Sequence, residues 1–429
     1  MLFSNITIIN ENMEVEQGKY VLVKEDKIAY IGNEKPNDSY EREYDGKGKL
    51  LMSGFFNGHG HSPMALMRGY GENMGLQDWL FKKIFPFEDQ LDSNAVYWGT
   101  MLTMAESVRY GIVSTSDMYY FCDDMARAVI ESGCKSNISR SITNPMGAPV
   151  SELASMGEMK DFYSNFHNVA GGRIKVDMSL HGEYTSNPET AMALADYTRG
   201  IGDTVMHIHV SETKSEHEEC IQRHGLTPAA YLEKMGLFDV PAIAAHCVYS
   251  DDNDLDIFKS RGVTVATNPV SNMKLASGIC NVQKIIDKGI NLAIGTDSVA
   301  SNNSLDFMEE MKVMTIGCKV HSADPTAVTP ADALRAATLG GAKAQGRKDT
   351  GLLKEGFKAD LIVVDISQPN MHPVHNLINN IVYSSSGKDV ILTMVDGKVL
   401  YDNGEYTTID LEKTIYEAEK ATKNILERL

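Results

Sequence analysis

Two histidines one residue apart, His59 and His61, follow closely on the apolar run Leu50-Leu51-Met52. In an extended strand successive side chains alternate faces, so this pair projects from one side and can close on a single ion. Imidazole suits zinc or ferrous iron, and such an ion supplies hydroxide at neutral pH for the hydrolysis of C–N bonds. A bare His-x-His pair is weak evidence, because surface or packed histidines give the same pattern, so partners elsewhere in the chain must decide. The apolar segment ending in His207-Ile208-His209-Val210 has Glu212 just beyond it; another ends in His246; Gly295-Thr296-Asp297 follows Leu292-Ala293-Ile294. His207 and His209 share a strand face, and His209, nearer the end, is the expected ligand, with His207 packed behind it. Asp297 in another setting would cap a turn, but its place after an apolar run favours a ligand. His167, His217, His224, His321, His372 and His375 end no candidate strand and are assigned no chemistry.

Such residues meet only if the elements bearing them converge. Eight candidate strands, 50–58, 111–117, 137–143, 173–180, 204–210, 241–248, 262–268 and 290–296, alternate with helix-length amphipathic stretches. That rhythm predicts parallel pairing and an α/β fold, a closed (β/α)8 TIM-type barrel, in which the carboxyl ends of different strands build one pocket. Four of those ends would deliver the residues named above. Residues 1 to about 50 carry short alternating segments with turn signals, and the pattern returns in Ala359–Asp365 and Val390–Leu400. Pairing the two chain ends covers their exposed edges, so a small composite β-sandwich domain is expected from them. The expected division is 1–52 for its N-terminal part, 53–350 for the barrel, and 351–429 for its C-terminal part with a terminal helix placing Leu411, Ile415, Ala418 and Ile425 near helical spacing. Ser250 is the expected cap of the helix bearing Leu255 and Phe258; Thr329-Pro330 opens another that ends at Gly340-Gly341.

Composition narrows the function. At 429 residues the chain exceeds what one core usually serves, which suits a large domain with a smaller one. A formal charge of −18 without clustered Lys and Arg argues against a nucleic-acid partner. No apolar run approaches a membrane span, and Met1-Leu2-Phe3-Ser4-Asn5 lacks the features of a signal peptide, so a cytoplasmic protein without membrane partners is expected. The six cysteines show no Cys-x-x-Cys spacing and read as reduced, buried small hydrophobes. Neither a Gly-x-Ser-x-Gly elbow nor a full dinucleotide fingerprint is present; Gly69-Tyr70-Gly71 lacks the third glycine. His181-Gly182-Glu183 supplies the first part of a cytidine-deaminase zinc site, but the required cysteine pair does not exist.

The series Asn57-Gly58-His59-Gly60-His61, His209-Val210-Ser211-Glu212, Ala245-His246-Cys247, Asn268-Pro269-Val270-Ser271-Asn272-Met273-Lys274-Leu275, Gly295-Thr296-Asp297 and Ala300-Ser301-Asn302-Asn303 resembles the amidohydrolase superfamily. Within it the chain is most similar to the methylthioadenosine/S-adenosylhomocysteine deaminases, with triazine hydrolases as near relatives. The resemblance implies one divalent metal, zinc or alternatively iron, held by His59, His61, His209 and Asp297. It further implies that Glu212 shuttles a proton to the purine ring nitrogen, that His246 orients the hydroxide, and that Asp297 accepts its proton. Glu88 would hold the ribose hydroxyls, and His181 and Arg140 would contact the nucleoside and its 5′ substituent. Without the resemblance, Glu88 reads as a helix-face carboxylate and Arg140 as a solvated side chain.

The implied reaction is hydrolytic deamination of a small-molecule nucleoside by a homo-oligomer. The alternatives are a relative acting on guanine or a triazine, and a non-catalytic scaffold on the same barrel, which would be expected to have lost ligands. Departures stand beside the likeness: Gly58 and Gly60 replace two threonines of the usual motif, Ser298 replaces the glycine after the aspartate, and no second arginine lies between Arg140 and Arg173. Two-metal relatives bridge their ions with a carboxylated lysine at the end of the fourth strand. Here that end is Leu180-His181, and Lys175 lies about 16 Å of strand away at ~3.3 Å per residue, so one metal is expected.

Overall fold

The computed structural model describes residues 1–429, the side chains of Leu76 and Gln77 excepted. Eight strand positions follow one another in parallel: Phe55–Gly60, Ile112–Tyr119, Lys135–Ile142, the short pieces Ile174–Val176 and Met178–Leu180, Met206–Val210, Ala242–His246, Thr264–Thr267 and Leu292–Ile294. A bridge between Gly60 and Asp297 brings the last position back to the first, and Asn57 fastens the seam. Its Nδ2 donates to Thr296 Oγ1 at 2.7 Å and its Oδ1 accepts from the Thr296 amide at 3.1 Å. The expected TIM-type barrel is therefore present, and its strands are buried on both faces, as a parallel sheet covered by helices requires.

The first expected strand needs correction. Residues 50–58 are not one strand: Lys49–Ser53 pairs with Leu2–Ile9 and Leu361–Asp365 in the second sheet, and only Phe55–Gly60 enters the barrel. The break falls at Gly54, where a Cβ would lie 2.4 Å from Val113 Cγ1, so only glycine lets the backbone pass from one sheet to the other. Nine strands from the two chain ends make this mainly antiparallel second sheet. Phe3, Ile6, Val21, Tyr44, Leu361 and Met394 belong to a buried core of its own.

Helix ends follow ordinary capping chemistry with three departures from expectation. The cap of Asp252–Arg261 is Asp251 rather than Ser250, in a reciprocal box with Asp254, and the helix stops at Gly262 as expected. Thr329 caps Pro330–Arg335, but the helical path continues through Gly340 and Gly341 to Ala344. The terminal helix Leu411–Leu426 buries Thr414, Ala418, Ala421 and Ile425, while Ile415 is exposed. It returns to the barrel side, where Thr422 Oγ1 donates to the Leu66 carbonyl at 3.4 Å. All six cysteines are buried and free. Among the described residues no helix is long and apolar enough to cross a membrane.

Candidate metal centre and substrate cavity

Five strand ends converge on one mouth. The first strand and the residue beyond it bring His59 and His61; the fifth brings His209, with Glu212 on the following turn; the sixth brings His246 and the eighth leads into Asp297. Nε2 of His61 stands 3.3 Å from Asp297 Oδ1 and 3.4 Å from Nε2 of His209, and Nε2 of His59 stands 3.6 Å from the same carboxylate oxygen. His181, just past the fourth strand, packs its ring against His209 at 4.7 Å. Several of these turns are held in the left-handed region that side chains disfavour: Ser211 at φ +50°, His246 at +74°, Cys247 at +51° and Asp297 at +57°. Each such residue costs roughly 1–3 kcal/mol, which the surrounding packing has to over-determine.

The partners of each ring fix which nitrogen faces inward. Nδ1–H of His61 donates to the Met118 carbonyl at 2.8 Å, and Nδ1–H of His209 to the His181 carbonyl at 2.5 Å, so both present a lone pair at Nε2. His59 Nδ1 meets Nε2 of His207 at 2.8 Å, which puts His207 behind His59 and leaves His209 facing the cavity. His59 Nε2 is buried without a hydrogen-bond partner, a costly state for a polar atom unless something else engages it. Donor atoms of His59, His61 and Asp297 lie within 4.8 Å of one another, as do those of His59, His209 and His246. Imidazole Nε2 atoms turned inward, one orphaned, beside a carboxylate fit a divalent ion of borderline softness.

Electrostatics point the same way. Burial lowers His59 to about 3, keeping it neutral. Burial also opposes charge on His61, yet the Asp297 carboxylate overrides it and raises that ring to about 9. The cluster thus attracts positive charge, for which a proton and a metal ion compete. Asp297 is pushed up by burial but held well below the usual carboxylate range by His59 and His61. Its other oxygen accepts from Ser271 Oγ at 2.6 Å and Ser301 Oγ at 3.0 Å.

Glu212 stands apart from these donor sets. It is buried, its carboxylate lies 3.8 Å from His246 Nε2, and its carboxyl is raised by burial and by Asp297. Glu216 fixes its backbone, accepting from the amides of Ser211 at 2.9 Å and Glu212 at 2.7 Å. His246 is oriented by Asn272, whose Oδ1 accepts from Nδ1–H at 2.8 Å.

The metal-side cavity, about 80 Å³, is lined by Glu212, His246 and Asp297 together with Trp79, Leu80 and Phe85. Leu80, Phe85, Glu88, Tyr120, His181 and Tyr184 also border an outer chamber of about 1010 Å³, so the two spaces adjoin. Glu88 accepts from the Tyr119 hydroxyl at 2.6 Å, and burial raises its carboxyl to about 7. Of the three expected substrate contacts, Glu88 and His181 border both spaces, whereas Arg140 borders only the outer one.

With this geometry the comparisons can be read. A model of the amidohydrolase family matches residues 50–400. The chain belongs to that family. A protein of Thermoanaerobacter pseudethanolicus named 5-methylthioadenosine/S-adenosylhomocysteine deaminase is 38% identical over 431 residues, covering 100% of both chains. A 5′-deoxyadenosine deaminase of Methanosarcina acetivorans is 40% identical, covering 95% of this chain and 94% of its own. The crystal structure of an adenosine deaminase from Xanthomonas campestris with bound zinc has a TM-score of 0.93 at 28% identity, covering 99% of this chain and 98% of that one. The amidohydrolase family is metal-dependent, and the donor set at this barrel mouth meets that need.

In this amidohydrolase the groups that composition and spacing left unmarked are the supporting ones. Tyr119 holds Glu88, Glu216 holds the turn of Glu212, and the aromatic wall at Trp79 and Phe85 closes the cavity. Only Glu216 left a signal, the Thr213-x-x-Glu216 spacing of a capping box. Gly58 also finds a reason. A Cβ there would meet Ala293 Cβ at 2.9 Å and the Ile294 carbonyl at 3.2 Å, whereas at Gly60 the nearest atom would be 3.4 Å away.

Proposed function

We propose that the chain hydrolytically deaminates adenosine-type nucleosides, with 5′-methylthioadenosine, S-adenosylhomocysteine, 5′-deoxyadenosine and adenosine as the candidate substrates. The observation that carries this reading is the meeting of three inward imidazole Nε2 atoms, a carboxylate and the separate buried pair Glu212 and His246 at one barrel mouth. The names of the full-length relatives support the substrate class.

His59, His61, His209 and Asp297 would hold one divalent ion, zinc or alternatively iron. When bound, such an ion supplies hydroxide near neutral pH. The rest falls to the chain. Addition of water at the amine-bearing carbon breaks ring conjugation, so the adjacent ring nitrogen must gain a proton in the same step. Glu212, whose carboxyl burial raises above its ordinary value, is placed to deliver it. Asp297 takes the proton released by the attacking water, and His246, fixed by Asn272, orients that water from the other side. Asp297 then passes that proton to the amine, the C–N bond breaks and ammonia leaves, and the hydroxyl proton returns to the Glu212 carboxylate, leaving the 6-oxo product. Glu88, oriented by Tyr119, is assigned the ribose hydroxyls, His181 the nucleoside, and Arg140 the side of the 5′ substituent.

Ammonia release measured across these nucleosides, guanine and amino-triazines tests the reading. The expected result is turnover of at least one 5′-modified adenosine far above guanine and the triazines. Turnover confined to guanine or a triazine would replace it with the corresponding aminohydrolase.

A further inference from the structure

Arg140 is the lone cation among the described residues bordering the outer chamber, where it is already spoken for. Its Nε–H donates to Glu158 Oε2 at 2.6 Å, one Nη–H donates to the Ser141 carbonyl at 2.6 Å, and the guanidinium lies 4.9 Å above the Tyr120 ring. A carboxylate binds guanidinium best through two parallel N–H bonds, and the edge that includes Nε is blocked by Glu158. Asp89, Asp123, Asp124 and Asp161 line the same chamber. The Asp123 carboxyl is raised by burial first and then by Asp124 and Asp161, with Arg127 opposing. Asp124 is paired with Arg127 at 2.5 Å, but a tail carboxylate entering here gains no free cation on the wall and approaches Asp89, Asp123 and Asp161. A neutral or cationic tail has no such cost.

We propose that Glu158 is a specificity-determining residue, which by holding Arg140 makes the outer chamber select 5′ substituents without a carboxylate over those with one. This rests on the nucleoside reading of the site, with the 5′ substituent in the outer chamber. The Arg140 side chain is 16% exposed and that of Glu158 55%, so the pair is reachable by a substrate tail and only partly screened by water. Its removal is therefore expected to shift selectivity without rebuilding the wall.

The test compares kcat/KM of the metal-loaded enzyme for 5′-methylthioadenosine, S-adenosylhomocysteine and the decarboxylated counterpart of the latter, which keeps the amine and lacks the carboxylate. The wild type is expected to favour the decarboxylated compound over S-adenosylhomocysteine. Glu158→Gln keeps an acceptor for Arg140 but removes the charge, and should narrow that preference by about 5-fold while 5′-methylthioadenosine changes by less than ~2-fold, in line with a partly exposed pair. Raising ionic strength on the unaltered enzyme should narrow it too, because screening acts on the same repulsion. Deamination with no preference between the two compounds, or with one unchanged by the substitution whatever the effect of salt, would overturn this inference alone. Failure to deaminate any of the three would overturn the nucleoside reading and the inference with it.

Discussion

Replacing Glu212 by glutamine separates acid–base chemistry from metal holding. The substitution keeps shape and hydrogen-bonding capacity and removes only the ability to give and take a proton. Glu212 shares no donor set with His59, His61, His209 or Asp297, and its carboxylate lies 3.8 Å from His246 Nε2. Metal content should therefore stay at the wild-type level. General acid–base catalysis by one positioned group contributes ~10²–10⁴-fold. The lower end applies here, because the roles proposed for His246 and Asp297 toward water are untouched, so turnover should fall about 10²-fold, or ~2.7 kcal/mol of barrier. KM should change little, since the substrate contacts proposed for Glu88 and His181, which also line the cavity, are left intact. The assay is steady-state ammonia release with metal analysis by mass spectrometry on the same preparation. Loss of metal together with activity would refute the reasoning and make Glu212 a ligand; near-normal turnover with full metal would remove it from the chemistry.

Two further outcomes follow from other parts of the molecule. His61→Ala should lose both metal and turnover, whereas Lys175→Ala should lose neither. The Lys175 ammonium donates to the Gly346 carbonyl at 3.4 Å, away from the strand ends that carry the metal cluster, and metal loss in that variant would show a second, lysine-dependent ion. Lys135→Met tests the seam between barrel and small domain. There the buried ammonium pairs with Asp360 and, at 2.7 Å, with Asp396, while Asp360 also accepts from Thr350 Oγ1 at 2.6 Å. Removing one partner of a buried pair costs about 3–5 kcal/mol, which should appear as a marked drop in Tm. Burial works to raise the Asp360 carboxyl, but Lys135 and Thr350 outweigh it and the folded pKa lies below the ordinary value. The stabilisation is thus complete above the unfolded carboxyl range and fades only as pH falls through the lower folded pKa. The Tm difference should therefore hold from pH 8 to pH 5, and a difference that vanishes within that window would refute the pairing.

What could be read in the sequence was set by periodicity. His59 and His61, His209, His246 and Asp297 all stand at or just beyond the carboxyl ends of parallel strands, so a two-residue alternation and a barrel rule suffice to bring them together. The same periodicity misled where a boundary carries no polar break. From Leu50 to Phe56 every residue is buried, so two strands of different sheets read as one, and the passage between them is marked only by Gly54 beneath Val113. At the helix Asp252–Arg261 two adjacent residues could cap, and the choice of Asp251 followed from Asp254 three positions on, a reciprocal pairing that Ser250 cannot make.

Support of the reacting groups was least legible, because it depends on approach between distant segments. Ser271 and Ser301 both reach one oxygen of Asp297, and Tyr119 reaches Glu88 across 31 positions. These contacts have a common effect. They hold the carboxylates in fixed orientations inside a wall of apolar and aromatic side chains, where a hydrogen bond is worth more than in water and a misdirected group costs more. Four residues in the left-handed region are maintained at the same mouth. A site that sustains such strain gains by not having to reorganise when the reaction begins, since its donors and acceptors already point at the place where charge develops. The barrel supplies the scaffold for this arrangement, and the strained turns at its strand ends aim the groups.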